Sequence, residues 1–149
     1  MSQDLQALNR EAIAVAKQHM GQVCWPTVLL VVAVLVGVVA NLSLFIAGVL
    51  NVWVATALMA ALTYMSYTPL HEAAHGNIHG KNDNLQWLND LCGYLVAPLI
   101  AVPYASHRLE HFTHHRYTNQ PDKDPDFVIS GMGKGIGGAI VTVFKFLWI

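Results

Sequence analysis

Seven of the eight histidines in this 149-residue chain fall between His71 and His115, and only His19 lies outside that window. The window opens with H-E-A-A-H-G-N-I-H (His71 to His79) and closes with H-R-L-E-H-F-T-H-H (His107 to His115). His71, His75 and His79 recur at i, i+4, i+8; His107, His111, His114 and His115 recur at i, i+4, i+7, i+8. On an α-helix such offsets place each set along one face. Neutral imidazole is a good ligand for Fe, Zn, Cu and Ni, and a metal that must also bind a small molecule needs nitrogen ligands plus open positions. A single histidine near a membrane surface is ordinarily an interfacial polar residue. Seven in two helix-spaced clusters point to a metal site, because ionisable residues beside membrane spans are costly unless they serve one.

One short motif competes. His71-Glu72-Ala73-Ala74-His75 is H-E-x-x-H, in which two histidines bind zinc and the glutamate is the general base of a protease. The longer form H-E-x-x-H-x-x-G-x-x-H fails, since Ile78 stands at the glycine and Lys81 at the third ligand. A zinc protease needs three protein ligands, which leaves His107, His111, His114 and His115 unused.

The rest of the chain must hold these side chains in place. Hydrophobic residues make up 54% and charged residues 11%, and mean hydropathy is +0.42. A soluble domain carries about 25% charged residues, so a membrane protein is the expected class. A net charge of −1 gives no reason to expect a nucleic-acid partner. Cys24 and Cys92 form no C-x-x-C pair, which argues against thiolate metal sites and disulfides. Residues 1–24 read as a retained cytoplasmic lead-in with a loosely amphipathic helix. Trp25 to Met65 as one helix would run roughly 60 Å, about twice the hydrocarbon core. The chain is therefore expected to turn at the polar Asn41-Leu42-Ser43, giving a transmembrane hairpin with spans near 25–41 and 44–66. Arg10 and Lys17 precede the hairpin, Lys81, Arg108, Arg116, Lys123 and Lys134 follow it, and the turn carries no cation. Both flanks are thus expected on the cytoplasmic side, with the histidines.

Pro69 is placed as a first-turn residue for a separate helix carrying the first histidine set, with Thr68 as its N-cap. Leu88 to Val102 is apolar but broken by Asp90, Gly93 and Pro98, which suggests an interfacial or re-entrant segment. Ser106 is the expected cap of the second histidine helix. A third span is expected from about 133, so the fold class is an all-α integral membrane protein.

With both clusters in view, the chain resembles the membrane fatty acid desaturases, whose wider superfamily includes carotenoid hydroxylases and ketolases and alkane hydroxylases. Their first box, H-x-x-x-H, matches His71 and His75; their second, H-x-x-H-H, matches His111, His114 and His115. Tyr117 to Asp126 (Y-T-N-Q-P-D-K-D-P-D) is similar to the family's continuation after the second box. The resemblance covers about residues 25–149, as a partial desaturase domain. It implies that these five histidines bind two irons that activate O2. His79 and His107 lie outside the box pattern, as extra ligands or as donors behind the ligands. Glu72 is expected to orient a ligand imidazole, and Asp124 to do likewise or to end the loop with Asp126.

The family carries a third box after two further spans, and no histidine follows His115, so the chain is expected to be the N-terminal half of a longer enzyme and not competent alone. The activity implied is O2-dependent desaturation of an acyl lipid, with electrons from a separate ferredoxin, rubredoxin or cytochrome b5 type carrier and its reductase. The implied location is a multi-pass integral membrane protein, in the plasma (inner) membrane if bacterial. Alternatives are a carotenoid or alkane hydroxylase or ketolase, the zinc protease through His71-Glu72-x-x-His75, and a catalytically dead metal-binding remnant.

Overall fold

Trp25 and Pro26 start the most apolar of the described helices, α2 (Trp25–Ile46), with proline in the first turn, where its missing N–H costs nothing. The computed structural model describes residues 3–19, 21–127, 137, 138 and 140. Before α2 lies α1 (Gln3–His19); after it come α3 (Val52–His75), α4 (Gln86–Val96) and α5 (Tyr104–Tyr117). Short 3₁₀ turns occupy Asp83–Leu85 and Ala97–Ile100. All regular structure among the described residues is helical. The chain divides into two units, Met1–Tyr104 and Ala105–Ile149.

In the first unit α2 and α3 form an antiparallel hairpin. Its turn is Ala47 to Asn51, beginning six residues later than the polar triplet suggested. Gly48 takes a left-handed φ of 73°, its N–H reaches the Phe45 carbonyl, and the Val49 N–H reaches that of Leu44, which closes the end of α2. Asn51 then caps α3 by accepting from the Trp53 and Val54 amides, both at 3.1 Å. Asn41 does not break the helix. It lies buried inside α2 and donates to the Ala55 carbonyl of α3 at 3.0 Å, so its polarity serves the helix pair. Gly37 allows close approach, since a Cβ there would lie 2.7 Å from Leu62. The spans expected at 25–41 and 44–66 are thus helices of 22 and 24 residues. Of the described helices α2 is the one long and apolar enough to cross a membrane.

α3 runs without interruption through Pro69 to His75, so the separate helix expected to start there is absent. Pro69 supplies no N–H to the helical ladder, yet packing buries it. The core is formed by Val31, Leu70, Ala73, Ile78, Cys92, Val96, Ala97 and Tyr104. Behind α3 the loop bonds back to the entry of α2: Cys24 N–H to Ile78 O at 2.9 Å and Lys81 N–H to Gly21 O at 3.1 Å. Gly80 permits this stitch, because its φ is +61° and a Cβ would meet the Gln22 and Gly21 carbonyls at 2.5 and 2.6 Å. The interrupted segment after Leu88 is helix α4 followed by the 3₁₀ turn.

The second unit holds α5 beyond Tyr104 and a tight loop to Phe127. The helix opens at Tyr104, ahead of the expected cap at Ser106. The third span expected from about 133 falls almost entirely outside the described residues.

Candidate metal centre

His71 and His75 occupy the last turn of α3, four residues apart and half-buried. Their rings meet edge to face with centroids 4.7 Å apart, and each offers a nitrogen within 4.8 Å of the other's. The turn stops abruptly. Gly76 adopts φ +72°, its N–H bonds Ala73 O at 3.1 Å, and Asn77 N–H bonds Glu72 O at 3.0 Å. The helical stripe His71, His75, His79 therefore does not exist. His79 lies in the loop beyond the helix end, with its Cε1 3.4 Å from where a Cβ on Gly76 would stand. Its Nδ1 is buried with no hydrogen-bond partner.

Glu72 sits between the two ligand candidates in sequence and is tied on both sides. Its Oε2 accepts from Asn77 Nδ2 at 2.9 Å, and its Oε1 faces His71 Nδ1 at 3.4 Å. An ionised carboxylate only accepts, so it fixes the proton on Nδ1 and leaves Nε2 with its lone pair outward. Asn77 was not singled out from sequence; its place directly after a helix-ending glycine was the available signal.

In the second unit α5 carries four imidazoles. His107 stacks on His111 with centroids 5.5 Å apart, and His111 meets His115 edge to face at 4.6 Å. The Nε2 atoms of His111 and His115 are 3.1 Å apart. Two nitrogens bound to one ion at roughly 2.1 Å each, near a right angle, have about that separation. That separation suits a shared ion, so the donor set fits a metal such as iron or zinc.

His114 has a different environment. Its Nδ1 donates to Asp124 Oδ1 at 2.8 Å, and Asp126 Oδ2 stands 3.4 Å away. Asp124 is buried and saturated: Oδ2 accepts from the Asn119 amide at 2.8 Å and Oδ1 from the Asp126 amide at 2.9 Å. Asn119 takes φ +62°, a conformation asparagine tolerates, and this aims its N–H at the carboxylate. The bond to Asp124 lifts the His114 pKa above its ordinary value, against the opposing effect of desolvation. For Asp124 burial pushes upward, but the bonds from His114, Asn119 and Asp126 outweigh it and hold the carboxyl below the usual range. With its Nδ1 proton held, His114 offers Nε2 to a ligand. Alternatively His114, Asp124 and Asp126 each present one atom within 4.8 Å of the others, a cation-sized group of their own.

Comparison with known proteins places these residues in context. A family model described as fatty acid desaturase matches residues 47–149. The chain is 36% identical over 104 residues to the sn-1 oleoyl-lipid 12-desaturase of a Picosynechococcus strain, covering 67% of this chain and 27% of that protein. It is 41% identical over 46 residues to the Delta(12) fatty acid desaturase fat-2 of Caenorhabditis elegans, covering 31% and 12%. It is 40% identical over 58 residues to Beta-carotene 4-ketolase 3 of Haematococcus lacustris, covering 38% and 17%. The matched region thus spans about a quarter or less of the length of these relatives. No solved structure matches the chain.

Proposed function

Because the chain belongs to the fatty acid desaturase family, we propose that it supplies two of the histidine boxes of a di-iron desaturase acting on acyl lipids. The single observation carrying this reading is the pair of i, i+4 histidine sets inside the matched region, one of them with two Nε2 atoms 3.1 Å apart. Two irons held by His71, His75, His111, His114 and His115 would supply the O2 chemistry. The balance is two hydrogens from the acyl chain, two electrons from a separate carrier and two protons from solvent, reducing O2 to two waters.

The chain's own residues have definable tasks in that reaction. Glu72 and Asp124 hold the Nδ1 protons of His71 and His114, so that each imidazole presents Nε2 as a neutral donor. Asn77 and the Asn119 and Asp126 amides hold those carboxylates in turn. The apolar α2–α3 hairpin would place the site at the cytoplasmic face of a multi-pass membrane protein, where a lipid chain and a ferredoxin, rubredoxin or cytochrome b5 type donor both have access.

The ketolase match favours one second reading, oxygenation of a carotenoid or alkane by the same centre. Zinc proteolysis draws no such support, for Glu72 is held by Asn77 and His71, whereas a general base must face a metal-bound water.

Metal content tests the proposal. The full-length protein, purified in detergent after expression with iron and zinc both available, is expected to carry close to two irons per chain. One zinc with little iron would overturn it. Lipid and carotenoid profiles of an expressing host then separate desaturation from oxygenation.

A further inference from the structure

The turn of α3 that bears His71 and His75 is bounded at both ends by residues that interrupt the helical ladder. Pro69, two residues before His71, leaves the Met65 carbonyl without its i+4 amide. Gly76, directly after His75, ends the helix in a left-handed turn. The ligand pair therefore rides on a short segment with a missing backbone bond at one end and a chain reversal at the other. Bonds from elsewhere in the fold converge on a single atom of this segment.

That atom is the carbonyl oxygen of Ala73, midway between the two histidines. It accepts from Gly76 N–H at 3.1 Å, from Asn89 Nδ2 at 2.9 Å and from Tyr104 Oη at 2.9 Å. Asn89, on α4, also accepts the Ile78 amide on its Oδ1 at 3.3 Å, so one buried side chain spans both sides of the Gly76 reversal. The Tyr104 hydroxyl also lies 3.3 Å from Asp90 Oδ1. Its ring packs on Gly93 and meets Tyr94 edge to face at 4.9 Å, with Gly93 leaving room that any Cβ would fill. Ala73, Asn89 and Tyr104 are each nearly inaccessible to solvent. Buried polar groups cost free energy unless paired, and apolar residues would fill these positions if packing alone were needed.

We infer that Asn89 and Tyr104 are positioning residues for the metal centre. They set the backbone angle of the Ala73 turn and hence the direction in which the His71 and His75 imidazoles present their nitrogens. Neither residue touches the metal, and the inference rests on the di-iron reading of the histidines.

Co2+ serves as the probe, because its absorption reports ligand number and geometry. The unaltered full-length protein is compared with Tyr104→Phe, which removes one hydroxyl and keeps the ring, and with Asn89→Ala. A third variant, Leu88→Ala, removes packing from the same core without touching the polar knot. Tyr104→Phe is expected to weaken Co2+ binding by about tenfold, the lower end for residues behind a ligand, and to shift the Co2+ bands while Tm falls little. Asn89→Ala should do more. Leu88→Ala should lower Tm yet leave affinity within about twofold and the bands in place. Affinity that follows Tm across all three variants, or bands unmoved in Tyr104→Phe and Asn89→Ala, would overturn the inference. No histidine-dependent Co2+ binding by the unaltered protein sinks the di-iron reading itself. Positioning is then judged on the metal-free protein by the ring ¹⁵N shifts of His71 and His75. They are expected to move in Tyr104→Phe and not in Leu88→Ala, and identical shifts in both variants reject it.

Discussion

The two histidine sets are held by opposite means. His71 and His75 sit at the end of a long helix whose last turn is pinned by residues 16 and 31 positions beyond Ala73. His111, His114 and His115 sit on a short helix, and the restraint on His114 arises within ten residues, at Asp124. The first set is positioned by a tertiary core, and His114 of the second by a local loop. The restraining carboxylates differ in the same way. The side chain of Glu72 is 31% exposed and that of Asp124 is 3% exposed, so Asp124 has far less water to replace what it holds. Damage at a distance should therefore reach the first set, whereas the second should respond to changes close by.

The largest effect is expected where ligands themselves are lost. Changing His75 or His111 to Ala in the full-length protein should abolish desaturation and cut bound iron by about half or more, with membrane insertion intact. Metal analysis beside lipid profiles checks this, and normal iron content in either variant would remove that residue from the centre. Next comes Asp124→Asn, which takes the charge from a buried carboxylate serving His114, Asn119 and Asp126. Metal affinity should fall on the order of tenfold or more. Glu72→Gln should cost less, roughly two- to threefold, because its contact to His71 is 3.4 Å and solvent can substitute. Competitive Co2+ titration of both variants measures the ordering. A larger loss from Glu72→Gln would reverse the contrast between the two regions.

Much of this was legible in the sequence because ligand spacing and helix period are both local. The offsets within His107 to His115 carried through to α5 without correction. The same rule failed for His79, since Gly76 ends the helix between it and His75, and the glycine was the sign to stop counting turns. The hairpin was read correctly as two antiparallel helices, but its turn was assigned to Asn41-Leu42-Ser43 on polarity alone. Asn41 has a buried partner at Ala55 O, a cross-helix contact that no local pattern reveals, while Gly48 and the cap at Asn51 marked the actual turn. Pro69 misled for a related reason: proline is ordinary in a first turn and tolerated inside a helix when packing buries it. The Asn89 and Tyr104 contacts at Ala73 span 16 and 31 residues and were out of reach of any pattern reading.

The smallest expected effect sharpens the comparison through pH, in the metal-free protein. Asp124 is held below its ordinary carboxyl value, so its contribution is present above about pH 4 and is lost as pH falls through its lowered folded pKa. His114 is raised above its ordinary value, so its contribution is complete below about pH 6.5 and is lost as pH rises through the raised folded pKa. The charged pair is thus fully formed from about pH 4 to pH 6.5 and weakens on either side. Within that window a protonated His114 also sits in the last turn of α5, where the helix dipole favours positive charge. Exchange protection of the Asn119 and Asp126 amides, corrected for intrinsic rate, should therefore be greater near pH 5.5 than near pH 8. Asp124→Asn should flatten the difference. The amides of Gly76 and Asn77 are held by backbone carbonyls instead of a carboxylate, and should keep the same protection at both pH values. A matching pH response in that turn would show that the two histidine sets share a restraint, and the division between core-held and loop-held ligands would have to be abandoned.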